Sequence, residues 1–390
     1  MSHQTMIHFS GDDYWNSNPH SRYHLTNAFW QKGYKVVWIN PIGTRFPSRK
    51  IKSLFYYRIY NKIKSLLKLL KKIDTDFYVY TPFLIPSFTR NIFQHVNSIL
   101  LKLQLYLLKL IIGINSPYLF FTSPVYGYAI NFLPYKKSIY YFSDQYTSYR
   151  ELSSKNREYL ISLDKLLYTK SDLILCASQM IYDDIKTKTK KPVFYTPHQV
   201  DYKFFKKALL DKNKPSDIDD IGYPIFGYYG TLSDSNDWDL IEYCALQRPH
   251  YNFVFIGQKN INIPQIEKLN NVFFLGKKPY KEIPHYSKFF DVCIMFWIRR
   301  NWIKHCSPLK LKEYISVEKP IVSTFIEEAI MHFKDIIYVS KNDEEFLNNL
   351  DLALCNNRER INRGLDKIKN ESWTNLADRI SFLLNNEVEI

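Results

Sequence analysis

The chain of 390 residues is long enough for two domains of ordinary size, and its 46% apolar residues supply an ample core. With 23% charged residues and no low-complexity tract or internal repeat, the composition excludes a disordered or fibrous protein. The formal net charge of +15 indicates an anionic partner.

The five cysteines are dispersed, without a C-x-x-C pair or a Cys/His cluster. We therefore expect neither a zinc site nor a disulfide framework. Residues 1–10 enter a strand directly and hold no basic-then-apolar signal pattern. Together with reduced thiols, this predicts a cytoplasmic protein.

The positive charge is concentrated in one half of the chain. Residues 1–205 hold 28 Lys/Arg and 12 Asp/Glu, which gives +16, whereas residues 206–390 hold 25 and 26, which gives −1. Such asymmetry suggests that the N-terminal half meets an anionic partner, either a membrane surface or a nucleic acid.

Short apolar runs alternate with helical patterns along the whole chain, which is typical of parallel α/β sheets. In the first half the predicted strands are Met6–Ser10, Lys35–Asn40, Phe77–Tyr80, Leu119–Thr122, Ser138–Ser143 and Asp172–Ala177. In the second half they are Ile225–Tyr229, Asn252–Gly257, Val272–Leu275, Asp291–Phe296 and Pro320–Thr324. The predicted fold class is therefore α/β, with two doubly wound Rossmann-like domains facing each other across a cleft.

The polar, proline-containing segment 206–222 predicts the linker between these domains. Residues 1–205 then form the N-terminal domain and residues 223–372 the C-terminal domain. The final segment, 373–390, contains an amphipathic helix from Trp373 to Asn386 that we expect to pack back onto the first domain.

Two helical stretches of the first half combine apolar and basic residues. Residues 51–72 contain seven Lys/Arg and no acid, and residues 98–114 are nearly all apolar but are interrupted by Lys102, Gln104 and Lys109. Neither offers the ~18–20 uninterrupted apolar residues of a membrane span. A basic face beside an apolar face is typical of a helix that lies in a bilayer interface. The alternative is that the apolar faces pack on the sheet while the lysines are solvated.

Three loops follow predicted strands at the sheet edge where open parallel sheets bind ligands. The first, residues 10–22, carries Asp12, Asp13 and Arg22 and opens a helix at its far end. The second begins with Asp144. The third, residues 227–233, contains glycines that either let backbone N–H groups approach a phosphate or simply form a tight strand–helix turn.

Residues 305–324 carry the most specific local pattern. Ser307 is a good N-cap, and Pro308 suits the first helical position. The free N–H groups at that helix start attract anions, and Lys310 in the first turn adds a positive charge. Glu313, three residues on, could accept two sugar hydroxyls. The segment predicts a nucleotide-sugar site, with a capped surface helix bearing a solvated Lys–Glu pair as the alternative.

The order and spacing of several segments resemble the GT-B glycosyltransferases of bacterial polysaccharide assembly. In the second half these segments are Gly-Tyr-Tyr-Gly-Thr (227–231), Phe-Val-Phe-Ile-Gly (253–257), Asn-Val-Phe-Phe-Leu-Gly (271–276) and Ser-Pro-Leu-Lys-Leu-Lys-Glu-Tyr (307–314). In the first half they are Phe-Ser-Gly-Asp-Asp-Tyr-Trp (9–15), Tyr-Phe-Ser-Asp (141–144) and Thr-Pro-His-Gln-Val-Asp (196–201). Within that family the chain is most similar to the membrane-associated β-glucuronosyltransferases of xanthan assembly.

The resemblance implies roles for individual residues. Lys310 matches the lysine that contacts the donor pyrophosphate, Glu313 the residue that meets the nucleotide, and Asp144 the aspartate that acts as general base. An aspartate with its usual pKa of about 4 is ionised at pH 7 and can take a proton from an acceptor hydroxyl. The residues expected to bind the donor are Gly230, Thr231, Gly257, Tyr280, Ser307, Leu309, Lys310 and Glu313. Those expected at the acceptor or elsewhere in the cleft are Asp12, Asp13, Arg22 and His305.

One departure from the family bears on stereochemistry. Retaining GT-B enzymes commonly carry Glu-x7-Glu, and here His305 stands where the first glutamate would be. This favours an inverting displacement. The D-x-D matches at 74–76 and 237–239 are interpreted as a pre-strand segment and as helix caps, so we expect no metal and no cofactor. The dipole of the helix and Lys310 would stabilise the leaving group instead.

The sequence thus predicts an inverting transferase that moves a sugar, most simply from a UDP-sugar, to a lipid-linked acceptor at the inner face of the cytoplasmic membrane. Donor would bind the second domain, and acceptor and bilayer the basic first domain. A glucuronate donor would need a cation, for which Arg299, Arg300 and Lys304 are candidates. The alternatives are a retaining enzyme of the same fold and a nucleic-acid-binding protein. Lysines that alternate with Leu and Ile at helical spacing suit lipid better than nucleic acid.

Overall fold

The computed structural model describes residues 4–41, 64, 68–85, 91–145, 154–298, 301–355 and 358–386. The chain divides into two compact units. The first comprises Met1–Pro197 together with Trp373–Ile390, and the second comprises His198–Ser372.

The described part of the first unit is built on an 8-stranded sheet in the order β3-β4-β2-β1-β5-β6-β7-β8. All neighbours pair in parallel except β3 and β4, which form an antiparallel hairpin. The strands are β1 (Thr5–Phe9), β2 (Lys35–Ile39), β3 (Leu70–Asp74), β4 (Phe77–Tyr80), β5 (Tyr118–Phe121), β6 (Ser138–Phe142), β7 (Leu173–Cys176) and β8 (Val193–Tyr195). The helices are α1 (Ser21–Gln31), α2 (Asn91–Ile112), α3 (Ser154–Lys170) and α4 (Gln179–Lys186), with a 3₁₀ turn over Pro124–Ala129.

The described part of the second unit is built on a 6-stranded parallel sheet in the order β11-β10-β9-β12-β13-β14. Its strands are β9 (Ile225–Tyr229), β10 (Asn252–Ile256), β11 (Val272–Phe274), β12 (Val292–Met295), β13 (Ile321–Thr324) and β14 (Tyr338–Ser340). Its helices are α5 (Tyr202–Lys207), α6 (Ser216–Asp219), α7 (Trp238–Gln247), α8 (Pro264–Glu267), α9 (Ile283–Ser287), α10 (Asn301–Lys304), α11 (Leu309–Ser316), α12 (Glu327–Phe333), α13 (Asp343–Leu354) and α14 (Arg358–Ile368). Tyr280–Glu282 and Ala208–Leu210 are short 3₁₀ turns.

The parallel α/β class is confirmed, and each predicted strand appears close to its expected bounds. Strands such as β6 and β12 are buried along their whole length, because helices cover both faces of a parallel sheet. Three strands were not predicted: β3, β8 and β14. The structure corrects the helix predicted over 51–72, since Leu70–Lys72 belongs to β3, while most of the remaining stretch lies outside the described residues.

The chain passes between the units at Pro197/His198 and at Ser372/Trp373. The segment 206–222, expected as the linker, instead belongs to the second unit. Although the segment is polar, Ile218 is buried in its core, and the Lys288 ammonium donates to the Ala208 carbonyl at 3.1 Å. These contacts tie the segment to the second unit.

The terminal helix, α15 (Trp373–Asn385), packs on α1 of the first unit. The Tyr34 hydroxyl and the Ser381 hydroxyl lie 3.0 Å apart, and the Trp373 ring stacks on that of His24 with centroids 5.6 Å apart. The apolar stripe of α15 is buried, as its amphipathic pattern predicts.

Helix α2 begins earlier than expected, at Asn91, and buries only one side of its apolar surface. Leu101, Leu105 and Leu108 enter the core of the first unit. Large apolar side chains on the other side are 43–77% exposed, and they are Ile92, Ile99, Leu103, Tyr106, Leu107, Leu110 and Ile111. By length and composition, Ile92–Ile112 is one helix among the described residues that could cross a membrane, with 22% of its most apolar stretch buried.

Candidate active-site residues

In the second unit, Lys310 lies in the first turn of α11, next to the loop that follows β9. A methyl group on Gly230 would stand 2.6 Å from Cε and 3.0 Å from Nζ of Lys310. The ammonium is 5.6 Å from the ring centroids of both Tyr228 and Trp297. Within the described ranges, no acceptor or carboxylate pairs with the ammonium. It is a half-buried cation at the start of a helix, and the buried Glu313 carboxylate interacts with it electrostatically.

The helix start differs from the predicted one by one residue. Pro308, with extended backbone, is the cap and Leu309 the first helical residue, while the Ser307 hydroxyl makes no capping bond. The Leu311 N–H donates to the Pro308 carbonyl at 3.2 Å. The leading N–H groups of α11 have no partner within the helix itself, as at every helix start.

The glycines of the β9 and β10 loops serve close packing rather than donation to a ligand. The Gly230 N–H donates to the Ile256 carbonyl and the Gly257 N–H to the Gly276 carbonyl, both at 2.8 Å. A methyl group on Gly257 would stand 1.7 Å from the Gly230 carbonyl oxygen, so only glycine allows the two loops to touch. The expectation that a glycine N–H of the β9 loop approaches a phosphate is therefore corrected for Gly230: this glycine makes room for Lys310, and Gly257 makes room for the Gly230 carbonyl.

Glu313 is buried, with 3% of its surface exposed, rather than open to a ligand. The Tyr229 hydroxyl donates to Oε2 at 2.8 Å and the Tyr280 hydroxyl to Oε1 at 2.9 Å. Burial raises the pKa of the Glu313 carboxyl, against the opposing effects of the tyrosine hydrogen bonds and Lys310. Two phenols thus occupy both oxygens where two sugar hydroxyls were expected. Tyr229 was not predicted, although it lies within the Gly-Tyr-Tyr-Gly segment.

The other residues predicted for the site in this unit, which include donor residues and His305 of the remaining cleft set, lie around α11 and the strand ends. Thr231 is exposed in the β9 loop, and Leu309 is half-buried in the first turn of α11. His305 is half-buried between α10 and α11 and has contacts of its own. Arg299 and Arg300 lie outside the described residues.

In the first unit, Arg22 lies between two carboxylates that follow β1 and β6. Its Nε donates to Asp12 Oδ2 at 2.7 Å, and its Nη2 lies 3.7 Å from Asp144 Oδ2. Its Nη1 donates to the Ser143 hydroxyl at 3.3 Å. The structure therefore brings together Asp12, Arg22 and Asp144, which lie far apart in the sequence.

Asp144 differs from an ordinary aspartate although 26% of its side chain is exposed. Burial raises the pKa of its carboxyl to about 6, opposed by the positive charge of Arg22 and aided by the negative charge of Asp12. The carboxylate is still mostly ionised at pH 7. A base with a pKa near the working pH is also better matched to proton transfer than one with a pKa near 4.

The two neighbouring acids of the β1 loop have different roles. Burial pushes the pKa of Asp12 upward, but Arg22 holds it below its usual value. Asp13 instead stabilises its own turn, where Oδ1 accepts from the Trp15 N–H and from the Asn16 amide, both at 3.0 Å. The structure thus supports a place in the Arg22 cluster for Asp12 and a local structural role for Asp13.

The D-x-D segments have local roles. Asp74 ends β3 and Asp76 lies in the turn before β4, so the segment does not simply precede a strand as expected. Asp237 is confirmed as a helix cap, since its side chain accepts from the Leu240 N–H at 3.2 Å. Within the described ranges, no three His, Cys, Asp or Glu side chains are grouped so that they could hold a metal ion.

Comparison with known proteins gives one sequence relative and several structures of the same fold. No family model matches the chain. Over 196 residues it is 25% identical to a Bacillus subtilis (strain 168) protein provisionally named teichuronic acid biosynthesis glycosyltransferase TuaH, covering 48% of this chain. The match spans about half of that relative, 49% of its length.

The solved structures match almost the whole chain. A sucrose-phosphate synthase from Thermosynechococcus elongatus aligns with a TM-score of 0.71 at 11% identity, covering 98% of each chain. A UDP-forming α,α-trehalose-phosphate synthase from Burkholderia vietnamiensis aligns with a TM-score of 0.68 at 11% identity, covering 100% of this chain and 98% of the other. At such identities the likeness concerns the fold. The chain therefore has the GT-B glycosyltransferase fold.

Proposed function

We propose that the chain is an inverting, metal-independent glycosyltransferase. It transfers a sugar from a nucleotide diphosphate donor, a UDP-sugar in the simplest case, to a lipid-linked saccharide of cell-surface polysaccharide assembly. The observation that carries the proposal is the Lys310 ammonium, which lies half-buried in the first turn of α11, beside Gly230, and makes no hydrogen bond or close ion pair with the residues that the structure describes. The partial match to a protein named as a polysaccharide glycosyltransferase, and the UDP-forming synthase of the same fold, support it.

The chemistry assigns one task to each unit. Asp144 takes the proton of the acceptor hydroxyl as that oxygen attacks the anomeric carbon, and the bond from this carbon to the phosphate oxygen breaks. The electron pair leaves with the diphosphate, whose added charge the Lys310 ammonium and the start of α11 neutralise. His305, in place of the first glutamate of Glu-x7-Glu, favours inversion.

A panel of nucleotide sugars tests the proposal directly. UDP-sugars, matched GDP- and ADP-sugars and free uridine are added to the full chain, and thermal stability and nucleotide release are measured. The expected result is stabilisation by one UDP-sugar, because a ligand bound only to the folded state raises its stability. NMR of the product's anomeric proton then separates inversion from retention. If no nucleotide sugar binds, the proposed function is wrong.

The Gly230→Ala variant should weaken donor binding about tenfold, the cost of misplacing one charge-assisted hydrogen bond. The new methyl group would displace Lys310, whose Cε lies 2.6 Å from its position. Gly33→Ala is the matched control, because Gly33 also has positive φ, at +87°, but nothing lies within 4 Å of the added carbon. Titration calorimetry with the UDP-sugar should distinguish them. Equal losses in both variants would show that backbone strain, rather than Lys310, explains the effect.

We further propose that the protein binds the inner face of the cytoplasmic membrane through the exposed stripe of α2. Lys102 and Lys109 border this stripe, and α2 contains no acidic residue, which suits an anionic lipid surface. The same helix buries Leu101 and Leu105 in the core of the first unit. This packing supports an orientation in the plane of the membrane, since a spanning helix would have to leave the core.

Flotation with vesicles that contain anionic lipid tests this surface. Combined Leu103→Ser, Leu107→Ser and Leu110→Ser should abolish flotation, because each leucine withdrawn from water contributes about 1.5–3 kcal/mol. Leu246→Ser with Leu352→Ser is the matched control, since these leucines are 57% and 53% exposed on the second unit. The proposal would be contradicted if the wild-type protein dimerises without lipid or binds DNA instead of vesicles. It would also be contradicted if the α2 variant floats as well as the wild type.

A further inference from the structure

The Arg22 guanidinium does not pair symmetrically with the two carboxylates beside it. Its Nε is 2.7 Å from Asp12, within hydrogen-bond distance, whereas Nη2 is 3.7 Å from Asp144, which is ion-pair but not hydrogen-bond distance. Arg22 is 8% exposed, so little water screens these charges. The buried Arg22 guanidinium therefore interacts with both carboxylates and lies closer to that of Asp12.

The backbone of Asp12 is itself held in place by two side chains. Its N–H donates to the Ser10 hydroxyl at 2.9 Å, and its carbonyl accepts from the Trp38 indole at 3.3 Å. Ser10 directly follows β1, and Trp38 lies in β2. Residues at the end of β1 and in β2 thus fix the Asp12 backbone, and its carboxylate binds the Arg22 Nε from there.

We infer that Asp12 is a positioning residue: it draws the Arg22 guanidinium toward itself, so that Asp144 keeps an oxygen available for the acceptor hydroxyl. This inference rests on the proposed function, because it presumes that Asp144 is the base. Without Asp12, the guanidinium could form a bidentate pair with Asp144 and occupy both of its oxygens. Such a pair would lower the pKa of Asp144, and Asp144 would then be a weaker base.

The groups that act on Asp144 are few in the described part of the chain. Burial and Arg22 lower the pKa of His8 to about 3, so this histidine on β1 stays neutral throughout the relevant range. The charged and titratable groups involved are Arg22 from α1, Asp12 from the β1 loop and Tyr141 from β6, with His8 and His20 acting on Asp12. Replacing Arg22 and replacing Asp12 should therefore shift the pKa of Asp144 in opposite directions.

The test measures the titration of Asp144 in the full chain, without any substrate. Aspartate labelled with ¹³C at Cγ is introduced, and the Asp144 signal is assigned by its loss in Asp144→Asn. We expect Asp12→Asn to lower the titration midpoint by about one pH unit and Arg22→Gln to raise it by about one, since an adjacent guanidinium shifts a carboxyl by this order. Loss of either charge gives these signs by itself, so the double variant Arg22→Gln, Asp12→Asn tests the positioning: without a guanidinium to turn toward Asp144, the Asp12 change should move the midpoint less than it does with Arg22 present.

Two further variants keep the test decisive. Asp12→Glu retains the charge and should leave the midpoint nearly unchanged. Arg22→Lys keeps the charge but loses the planar fork, so its midpoint should lie below that of Arg22→Gln. Unchanged midpoints in folded Asp12→Asn protein would overturn the inference. The pH profile of transfer then separates the two proposals: if the midpoint moves but the acidic limb of the rate does not, Asp12 still directs Arg22 away from Asp144, but Asp144 is not the base.

Discussion

Replacing Asp144 by Asn is expected to reduce sugar transfer by about 10²–10⁴-fold, the usual contribution of a general base. The amide is nearly the same size but cannot accept a proton. Donor binding should persist, because the proposed donor residues belong to the second unit. The measurement combines product formation at saturating acceptor with calorimetric titration of the UDP-sugar.

The matched control for this change is Asp183→Asn, which removes an exposed carboxylate of the same unit from a helix surface. Its activity should equal that of the wild type. Substantial turnover by the Asp144→Asn protein would exclude Asp144 as the base.

The pH dependence of the wild-type rate follows from the same carboxyl. A base must be unprotonated, so the rate should be full above the Asp144 pKa of about 6 and fall tenfold per pH unit below it. An aspartate with its usual pKa would keep full activity down to about pH 5. A profile that stays flat to pH 5 would contradict the raised pKa.

Replacing Lys310 by Gln is expected to weaken binding of the nucleotide sugar about 10–100-fold, because a hydrogen bond to a charged group contributes about 1.5–3 kcal/mol. The loss should appear with UDP-sugar and UDP but hardly with uridine, which lacks the diphosphate. Calorimetry with the three ligands measures this difference. Glutamine is one atom shorter than lysine but remains polar, so the fold should be unaffected.

Lys268→Gln, which removes an exposed lysine from the same unit, serves as the control and should bind all three ligands like the wild type. Equal weakening of uridine and UDP in the Lys310→Gln protein would mean that Lys310 does not recognise the diphosphate. That outcome would remove the main support for the donor site.

Much of the fold could be predicted because buried parallel strands are apolar along their whole length. β6 and β9 have such continuous runs, and their bounds were found almost unchanged. β3 was missed because it is an edge strand of a hairpin, with lysines at two of its five positions. Its local pattern resembles the end of the basic helix predicted before it.

The candidate catalytic and donor residues were predictable for a similar reason. Asp144 lies two residues after the end of a strand, and Lys310 lies in the first turn of a helix, so local sequence is enough to place each of them. The surroundings of these residues depend on contacts over long sequence separations. The Tyr229 hydroxyl on Glu313 and the Ser143 hydroxyl on Arg22 join positions 84 and 121 residues apart.

Sequence alone therefore determined the α/β class, most strands and the local positions of Asp144 and Lys310, because these depend on short-range periodicity and on element ends. Tertiary structure decided that Glu313 is enclosed by two tyrosines and that Arg22 turns toward Asp12. It also decided which side of α2 is exposed, since a helix with apolar residues all around does not specify its buried face. Burial and charge neighbours set the pKa of Asp144, and both arise only when distant segments meet.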